Sequence, residues 1–546
     1  MAASAPTTRI RTVLRWAEWG AAVLVSAVLI VCHFMGLTHA GALWRDEVNT
    51  LNIAGLPSLS EIWAMLEFDS CPILWHFVLR AWSAAGLGGT DFSLRVLGFT
   101  IGLGITGALW LIAKRFRVGV PLVSLVLFGL SPAVLLIGDS LRAYGLGALV
   151  ILLALSAFWR LVEETTLRQV LIAGLAAVLS VQCLYHNAVI LLAMGAGGLA
   201  VALRRRAWKT AGAIIGIGLV AALSLVPYLV GPLARAREWN DVIKVPLTIW
   251  WLLARFGEAV GGGGAVFVWV WAVLLALAVG ACIWRLAGPA ADASPSQRDL
   301  PLFVAVTMVV GVIAYGAFLL AVGYPTSPWY YLSLMALLAV LADVGIHQVA
   351  GAGVVGRLAR IGGAVALAAM VLPQAWEIVH IRMTDVDAIA ARLEAIAQRE
   401  DLIVVNPWWP GISFMRYYHG SAPWTTVPDI GDHRVHRYDL VKKKMAEGEA
   451  IQPILNRVGE TLRSGHRVWL VGGAEFLAPG QRPEDIPRDP ATAHSEVYYT
   501  VLWSRQLAYF LQTHGRLLTV VRLPAGWADV FLYEALPLLA VEGWRD

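Results

Sequence analysis

The sequence predicts a mostly α-helical, polytopic membrane protein of about eleven transmembrane helices, followed by a C-terminal extracytoplasmic α/β domain. Of its 546 residues, 58% are hydrophobic and only 14% are charged, whereas about 25% of the residues of an ordinary soluble domain are charged. A membrane-spanning helix needs about 20 apolar residues. Runs of this kind lie near residues 19–36, 92–113, 118–137, 141–159, 169–184, 187–203, 209–230, 264–285, 301–322, 329–347 and 359–379.

The distribution of Lys and Arg predicts how these helices are oriented. With a cytoplasmic N-terminus, the inner segments carry twice as many Lys and Arg residues as the outer loops, as in the cluster Arg204-Arg205-Arg206. This bias is the usual signature of cytoplasmic loops, and it accounts for the formal charge of +5 without a nucleic-acid partner. We therefore expect an integral inner-membrane protein whose C-terminal domain is periplasmic.

The first outer loop, about 37–91, is predicted to form a platform on the membrane surface. Segment 72–85 is apolar but too short to span comfortably, and segment 59–67 starts with a capping box made by Ser58 and Glu61. Both are predicted to be interfacial helices. The acidic pair Asp46-Glu47 lies in this loop, and such acids near membrane depth often mark a functional site.

A change in composition divides the chain into a transmembrane domain, 1–380, and a periplasmic domain, 381–546. The second part alternates apolar runs with amphipathic ones, a pattern typical of small α/β domains. Helices are predicted at about 385–400, 447–463 and 499–513, and strands at about 401–405, 467–473, 517–523 and 529–533.

The first outer loop resembles that of the GT-C glycosyltransferases, and most of all the branch of protein O-mannosyltransferases and aminoarabinose transferases of lipid A. That class has an Asp-Glu pair in the loop, an acid before a Pro-containing interfacial helix, and an Arg near the next span. The matching segments are Trp44-Arg45-Asp46-Glu47, Asp69-Ser70-Cys71-Pro72-Ile73-Leu74 and Ser93-Leu94-Arg95.

Two later segments extend the resemblance over roughly residues 40–340. Ser140-Leu141-Arg142-Ala143-Tyr144 resembles the segment that opens the fourth span, and Trp329-Tyr330-Tyr331-Leu332 resembles a late Arg-Tyr-Leu segment. Trp329 or Tyr330 stands where Arg is usual, which leaves one contact to the donor phosphate open. Cys71 replaces the first residue of a usual Pro-Pro pair.

The resemblance implies an enzyme that moves a single sugar, a hexose or a pentose, from a polyprenyl-phosphate donor to a hydroxyl acceptor at the outer face. Its expected partners are the lipid-linked donor, a lipid, polysaccharide or protein acceptor, and the bilayer. No cofactor is implied, and dependence on a divalent metal stays open. Asp432, His433 and His436 are of metal-binding types, but their spacing is not that of a metal site.

The resemblance gives the three acids of the first outer loop separate roles. Asp46 is the expected general base, since a carboxylate can take the proton of an attacking hydroxyl. Glu47 holds the acceptor, orients the loop, or is only a solvated neighbour. Asp69 binds acceptor or sugar hydroxyls, or caps the helix that follows it.

Four further residues are candidates for binding the donor. Arg142 suits a phosphate, because its guanidinium can donate two parallel hydrogen bonds, although an ion pair with Asp139 is the alternative. Arg95 is a second phosphate candidate, or a partner of Asp91. His186 is either a ligand of the phosphate or sugar or a structural histidine, and Tyr330 marks the late aromatic segment.

Two other functions remain open from the sequence. A transporter or flippase of lipid-linked sugars would need charged residues near the middle of the membrane, and the predicted spans contain few such residues. A polysaccharide ligase or polymerase would usually have its large outer loop between late spans, whereas here the platform follows the first span.

Overall fold

The chain forms two compact units, each built from separate stretches of sequence. A computed structural model describes residues 5–261, 265–287, 295–351, 353–487, 495–523 and 529–546. The first unit comprises Met1–Thr38, Cys71–Leu229 and Pro246–Val379, and the second comprises His39–Ser70, Val230–Val245 and His380–Asp546.

The first unit is a bundle of apolar helices, which makes the chain a multi-pass membrane protein. Among the described residues, nine helical stretches are long and apolar enough to cross a membrane. They are Arg9–His39, Asp91–Arg115, Ala143–Glu163, Asn187–Arg204, Trp208–Val230, Val266–Ala287, Arg298–Val322, Pro328–Ala350 and Val354–Ile378.

Shorter helices complete the first unit. Segment 72–85, predicted to be an interfacial helix, forms a helix over Ile73–Trp82 that buries Trp75 and Leu79; its position at a membrane surface stays a prediction. Other short helices are Ser83–Leu87, Leu167–Cys183 and Ile249–Gly261, and the spanning stretch Pro328–Ala350 begins with the short helix Pro328–Tyr331.

The predicted span at 118–137 is not one continuous helix. It forms three short helical segments, Leu122–Ser124, Leu125–Gly129 and Val134–Gly138. Pro132 lies between the last two. A proline has no backbone N–H and clashes with the preceding turn, so the apolar composition of this run does not produce a full-length helix.

Close packing in the bundle depends on small residues. A Cβ atom built on Gly145 would lie 1.9 Å from the carbonyl oxygen of Gly138, so only glycine allows the helix Ala143–Glu163 to approach the segment Val134–Gly138. Small residues commonly permit such backbone contacts between membrane helices.

The second unit contains a five-stranded mixed sheet. Its strands are β1 (Leu402–Val405), β2 (Trp424–Thr426), β3 (Val468–Val471), β4 (Gly515–Val521) and β5 (Leu538–Trp544), in the order β2-β1-β3-β5-β4. β1 pairs in parallel with β2 and β3, whereas β5 is antiparallel to β3 and β4. β1 and β3 are buried along their whole length, because apolar clusters cover both faces of the sheet.

One predicted strand is wrong. Segment 529–533 makes only an isolated bridge, between Val530 and Arg382, and the last strand is β5, Leu538–Trp544. The apolar run at the start of β5 is buried between β3 and β4, so pairing on both sides, which composition does not reveal, decides where the strand forms.

Helices surround the sheet and build the platform segments of the second unit. In the segment before Cys71, Ser58 forms its half of the predicted capping box, because its Oγ accepts a hydrogen bond from the N–H of Glu61 at 3.2 Å. The helices of this unit are Arg45–Ala54, Leu59–Met65, Leu66–Phe68, Pro232–Ala236, Asn240–Ile243, Val386–Ile396, Gly411–Tyr417, Tyr438–Ala446, Gln452–Arg463 and Glu496–His514.

Candidate functional site

The helix Arg45–Ala54 of the second unit gives the two predicted catalytic acids different surroundings. The backbone N–H of Trp44 donates a hydrogen bond to Oε2 of Glu47 at 3.1 Å. Carboxylates in the first turn of a helix often accept a hydrogen bond of this kind. Glu47 is fully buried. The side chain of Asp46 keeps 25% of its surface exposed, so of these two acids it is Asp46 that solvent reaches.

A histidine from the C-terminal domain holds the Asp46 carboxylate. Nε2 of His436 lies 3.2 Å from Oδ1 of Asp46, and Nε of Arg45 lies 3.6 Å from the same oxygen. The backbone N–H of His436 also donates to Oδ1 of Asn49 at 2.8 Å. Asp46 and Asn49 lie one helical turn apart, so two contacts fix the imidazole and, through it, the orientation of the carboxylate.

Thr50 connects the same helix to Asp69. Its hydroxyl donates to Oδ2 of Asp69 at 2.7 Å and lies 3.1 Å from the carbonyl oxygen of Asp46. The side chain of Asn49 donates to the carbonyl oxygen of Phe68 at 3.1 Å. Two of the three predicted acids, Asp46 and Glu47, thus lie on this helix, and the third, Asp69, is bonded to it. Pro72 occupies the N-cap position of the next helix, so the capping role considered for Asp69 is wrong.

Two buried acids near Asp46 were missed by sequence reasoning. Nη1 of Arg45 lies 3.2 Å from Oε1 of the fully buried Glu534, and burial raises the pKa of Glu534 to about 7 although Arg45 opposes the shift. Glu496 accepts a hydrogen bond from the indole of Trp408 at 2.9 Å. An acidic residue that stands alone in a segment of mixed composition gives no sequence signal of burial, so the burial of Glu534 and Glu496 is recognised only in the folded structure.

Two of the three possible metal ligands of the C-terminal domain, Asp432 and His436, bond other side chains. Asp432 accepts hydrogen bonds from the guanidinium groups of Arg434 and Arg437. These hydrogen bonds, above all those from Arg434, lower the pKa of Asp432 to about 2. His436 bonds Asp46. Asp432 therefore serves as an arginine partner in this structure.

In the first unit, three predicted donor-binding residues converge on aromatic rings. Arg142 is the N-cap residue of the helix Ala143–Glu163 and is 5% exposed. Its guanidinium carbon lies 6.0 Å from the ring centroid of Tyr144. The Tyr144 ring lies 6.0 Å from that of Tyr330, which in turn lies 6.1 Å from the ring of His186.

His186 is a neutral, buried imidazole within this group, which also includes Tyr315 at a ring distance of 5.9 Å. Burial lowers the pKa of His186 to about 4, so the ring is uncharged at neutral pH. Its Nε2 atom is buried and has no hydrogen-bond partner among the described residues. A neutral imidazole offers one donor and one acceptor, so this atom is available to a ligand.

The segment that carries Arg142 is anchored on both sides. Asp139 bonds Nδ1 of His33 at 2.6 Å, and the indole of Trp75 donates to the carbonyl oxygen of Leu141 at 3.0 Å. Arg95, the other phosphate candidate, is buried in the helix Asp91–Arg115. The structure thus groups Arg142, His186 and Tyr330, and places Arg95 on a separate element of the same unit.

Similarity to solved structures is found over nearly the whole chain. ArnT from Cupriavidus metallidurans bound to undecaprenyl phosphate has 13% sequence identity, a TM-score of 0.50, and an alignment covering 95% of this chain and 98% of that chain. The apo state of the same protein has 13% sequence identity and a TM-score of 0.49, and the alignment covers 96% of this chain and 98% of that chain. An Archaeoglobus fulgidus oligosaccharyltransferase tethered with an acceptor peptide has 10% sequence identity and a TM-score of 0.45, and the alignment covers 94% of this chain and 74% of that chain.

The chain therefore shares the fold of ArnT, in agreement with the resemblance of its first outer loop. The alignment spans nearly all of each chain, so on this chain it includes both the spanning helices and the five-stranded sheet. No protein-family profile matches the sequence, and no curated protein matches it.

Proposed function

We propose that this protein is a membrane glycosyltransferase that moves a single sugar from a polyprenyl-phosphate donor to a hydroxyl acceptor. One observation carries the proposal: within a GT-C type fold, the acidic pair of the first outer loop presents one partly exposed carboxylate, Asp46, held by His436. The structure of ArnT with undecaprenyl phosphate supports a polyprenyl phosphate as the carrier.

Asp46 is the general base of the proposed reaction. The acceptor oxygen attacks the anomeric carbon while its proton passes to the Asp46 carboxylate. The bond between the anomeric carbon and the phosphate oxygen breaks, and the electron pair leaves with the lipid phosphate. The configuration at the anomeric carbon is inverted. Asp69 binds a hydroxyl of the acceptor or the sugar, and Glu47 holds the helix in place by accepting from Trp44.

The first unit supplies the proposed contacts to the donor phosphate. Arg142 neutralises the charge that develops on the leaving phosphate, as a preorganised guanidinium does in other phosphate sites. Tyr330 and His186, which are linked to Arg142 through the ring of Tyr144, contact the phosphate or the sugar. Arg95 is a second cation for the lipid phosphate.

In this proposal the chemistry takes place at the outer face of the inner membrane. The N-terminus is cytoplasmic, and the domain 381–546 is periplasmic, as the distribution of Lys and Arg predicts. The acceptor is a hydroxyl of a lipid, a polysaccharide or a protein.

The test is single-sugar transfer in proteoliposomes with radiolabelled polyprenyl-phosphate sugars, hexoses and pentoses, as donors. We expect Asp46→Asn to lower turnover by about a thousandfold or more, since an amide cannot accept the proton, with donor binding unchanged. Asp485→Asn, the same substitution at an exposed aspartate of the same unit, is the matched control and should keep full activity.

Two results would contradict the proposal in different ways. Equal turnover in the wild type and in Asp46→Asn removes Asp46 from the chemistry. Absence of transfer from every monophosphate donor, together with movement of labelled lipid between leaflets, identifies the protein as a flippase.

A further inference from the structure

A strongly basic cavity lies at the C-terminal ends of two spanning helices of the first unit. Its volume is about 260 Å³, just below the roughly 300 Å³ at which sites for small molecules begin. It is lined by four cations, one acid and one apolar residue, namely Lys114, Arg115, Arg117, Arg160, Glu163 and Leu111. A small cavity with this charge suits a compact anion such as a phosphate group.

The charges that line this cavity are not neutralised within the described part of the chain. None of the five charged side chains forms an ion pair there, and the Nε atom of Arg115 is buried without a hydrogen-bond partner. Elsewhere in the same unit, Arg205 forms a hydrogen bond to Asp299 at 2.8 Å. Like charges around one cavity repel each other, so an anion in it would be bound favourably.

The wall of the cavity is fixed by packing and by backbone conformation. Phe116, between two of the lining cations, stacks on Trp159 with ring centroids 5.6 Å apart. Arg117 has a φ of +57°, a left-handed conformation that few non-glycine residues adopt. Arg117 follows the C-cap of the helix Asp91–Arg115, and the N–H of Val118 donates to the carbonyl oxygen of Ala113 at 3.0 Å, which closes the end of the helix.

We infer that this cavity binds the phosphate headgroup of an anionic phospholipid. Guanidinium groups donate paired hydrogen bonds to phosphate, and basic pockets between membrane helices bind such headgroups. Leu111, 42% exposed beside the cations, offers apolar contact to the start of an acyl chain, which a free phosphate would not use. Topology signalling explains clustered Lys and Arg, but it requires neither a cavity nor a buried Nε without a partner.

Native mass spectrometry of the full-length protein in a neutral detergent tests this inference. Phosphatidylglycerol and phosphatidylcholine with identical acyl chains are titrated separately, and inorganic phosphate is added as a competitor. We expect the protein to retain phosphatidylglycerol selectively. The double variant Arg117→Gln/Arg160→Gln should weaken its binding by about tenfold or more, because two charge-assisted contacts are lost.

Two further variants make the result specific to the cavity. Arg168→Gln/Lys209→Gln removes two cations that do not line the cavity and should change the affinity by less than about twofold. Glu163→Gln removes the carboxylate from the cavity wall and should strengthen binding, a gain that a folding defect cannot produce.

Three outcomes would overturn the inference. Equal weakening in both double variants would mean that diffuse charge attracts the lipid. Equal retention of phosphatidylcholine would remove the anionic headgroup as the ligand. Displacement of phosphatidylglycerol by inorganic phosphate at equal concentration would identify a site for a soluble anion.

Discussion

The orientation of the Asp46 carboxylate depends on side chains that come from far along the chain. His436 contacts Oδ1 at 3.2 Å, and Arg45, which is ion-paired with the buried Glu534, lies 3.6 Å from the same oxygen. A hydrogen-bonding group, His436, and a cation, Arg45, therefore approach the same oxygen of the carboxylate. Asp46 is also partly exposed, so solvent reaches this carboxylate.

At the residue scale, His436→Ala tests this arrangement. A hydrogen bond to a charged group contributes about 1.5–3 kcal/mol, so kcat should fall by about tenfold to a hundredfold while KM changes little. His436→Gln keeps an N–H donor and should restore part of the rate. The readout is steady-state sugar transfer in proteoliposomes.

The control for this prediction is His419→Ala, at an exposed histidine of the same unit, which should leave the rate unchanged. An unaltered kcat in His436→Ala would show that the imidazole does not position the base. Parallel losses of activity and of the folded fraction would show that His436 supports only the fold.

The sequence could indicate Asp46 but not the residues that hold it. Asp46 and Glu47 stand in a motif that can be compared with a known class, whereas His436 follows Asp46 by 390 positions and belongs to no motif. Glu534 is an ordinary acid in a C-terminal segment. Long-range pairs of this kind arise from the way the chain folds back on itself, and no local periodicity encodes them.

At the scale of the element, the helix Arg45–Ala54 depends on the cap made by Glu47. Burial of this side chain and its hydrogen bond to the N–H of Trp44 point to a structural role, while the resemblance leaves a role in acceptor binding open. The two roles respond differently to substitution, because glutamine retains an acceptor oxygen and loses only the charge.

We expect Glu47→Gln to keep the melting temperature within a few degrees of the wild type, and Glu47→Ala to lower it. The alanine variant leaves a buried N–H unsatisfied, which costs about 1–3 kcal/mol. Thermal unfolding of the detergent-solubilised protein measures both. Loss of sugar transfer in Glu47→Gln at an unchanged melting temperature would instead favour acceptor binding.

Elements defined by length and composition were predictable, and those defined by pairing were not. The span predicted at 92–113 is the helix Asp91–Arg115, because an apolar run of that length satisfies its backbone hydrogen bonds only as a helix. The run 118–137 is equally apolar, but Pro132 interrupts it. The strand expected at 529–533 lies instead at Leu538–Trp544, since only that run is placed between β3 and β4.

At the scale of the whole molecule, the unequal distribution of Lys and Arg predicts the sidedness of the chain. Residues that flank the spans on the predicted inner side, such as Arg168, are positively charged, and few acids balance them. Because such clusters are retained in the cytoplasm during insertion, the domain 381–546 should face the periplasm. The proposed reaction at the outer face depends on this orientation.

Labelling of single introduced cysteines would measure the orientation directly. The four native cysteines are buried, so they should react little with a membrane-impermeant maleimide. Asp485→Cys and Arg168→Cys place a thiol at exposed positions of the second and the first unit. In intact spheroplasts we expect Asp485→Cys to react, and Arg168→Cys to react only after the membrane is permeabilised, which serves as the control for reactivity. The reverse pattern would place the C-terminal domain in the cytoplasm and would exclude periplasmic transfer, whatever the chemistry of Asp46.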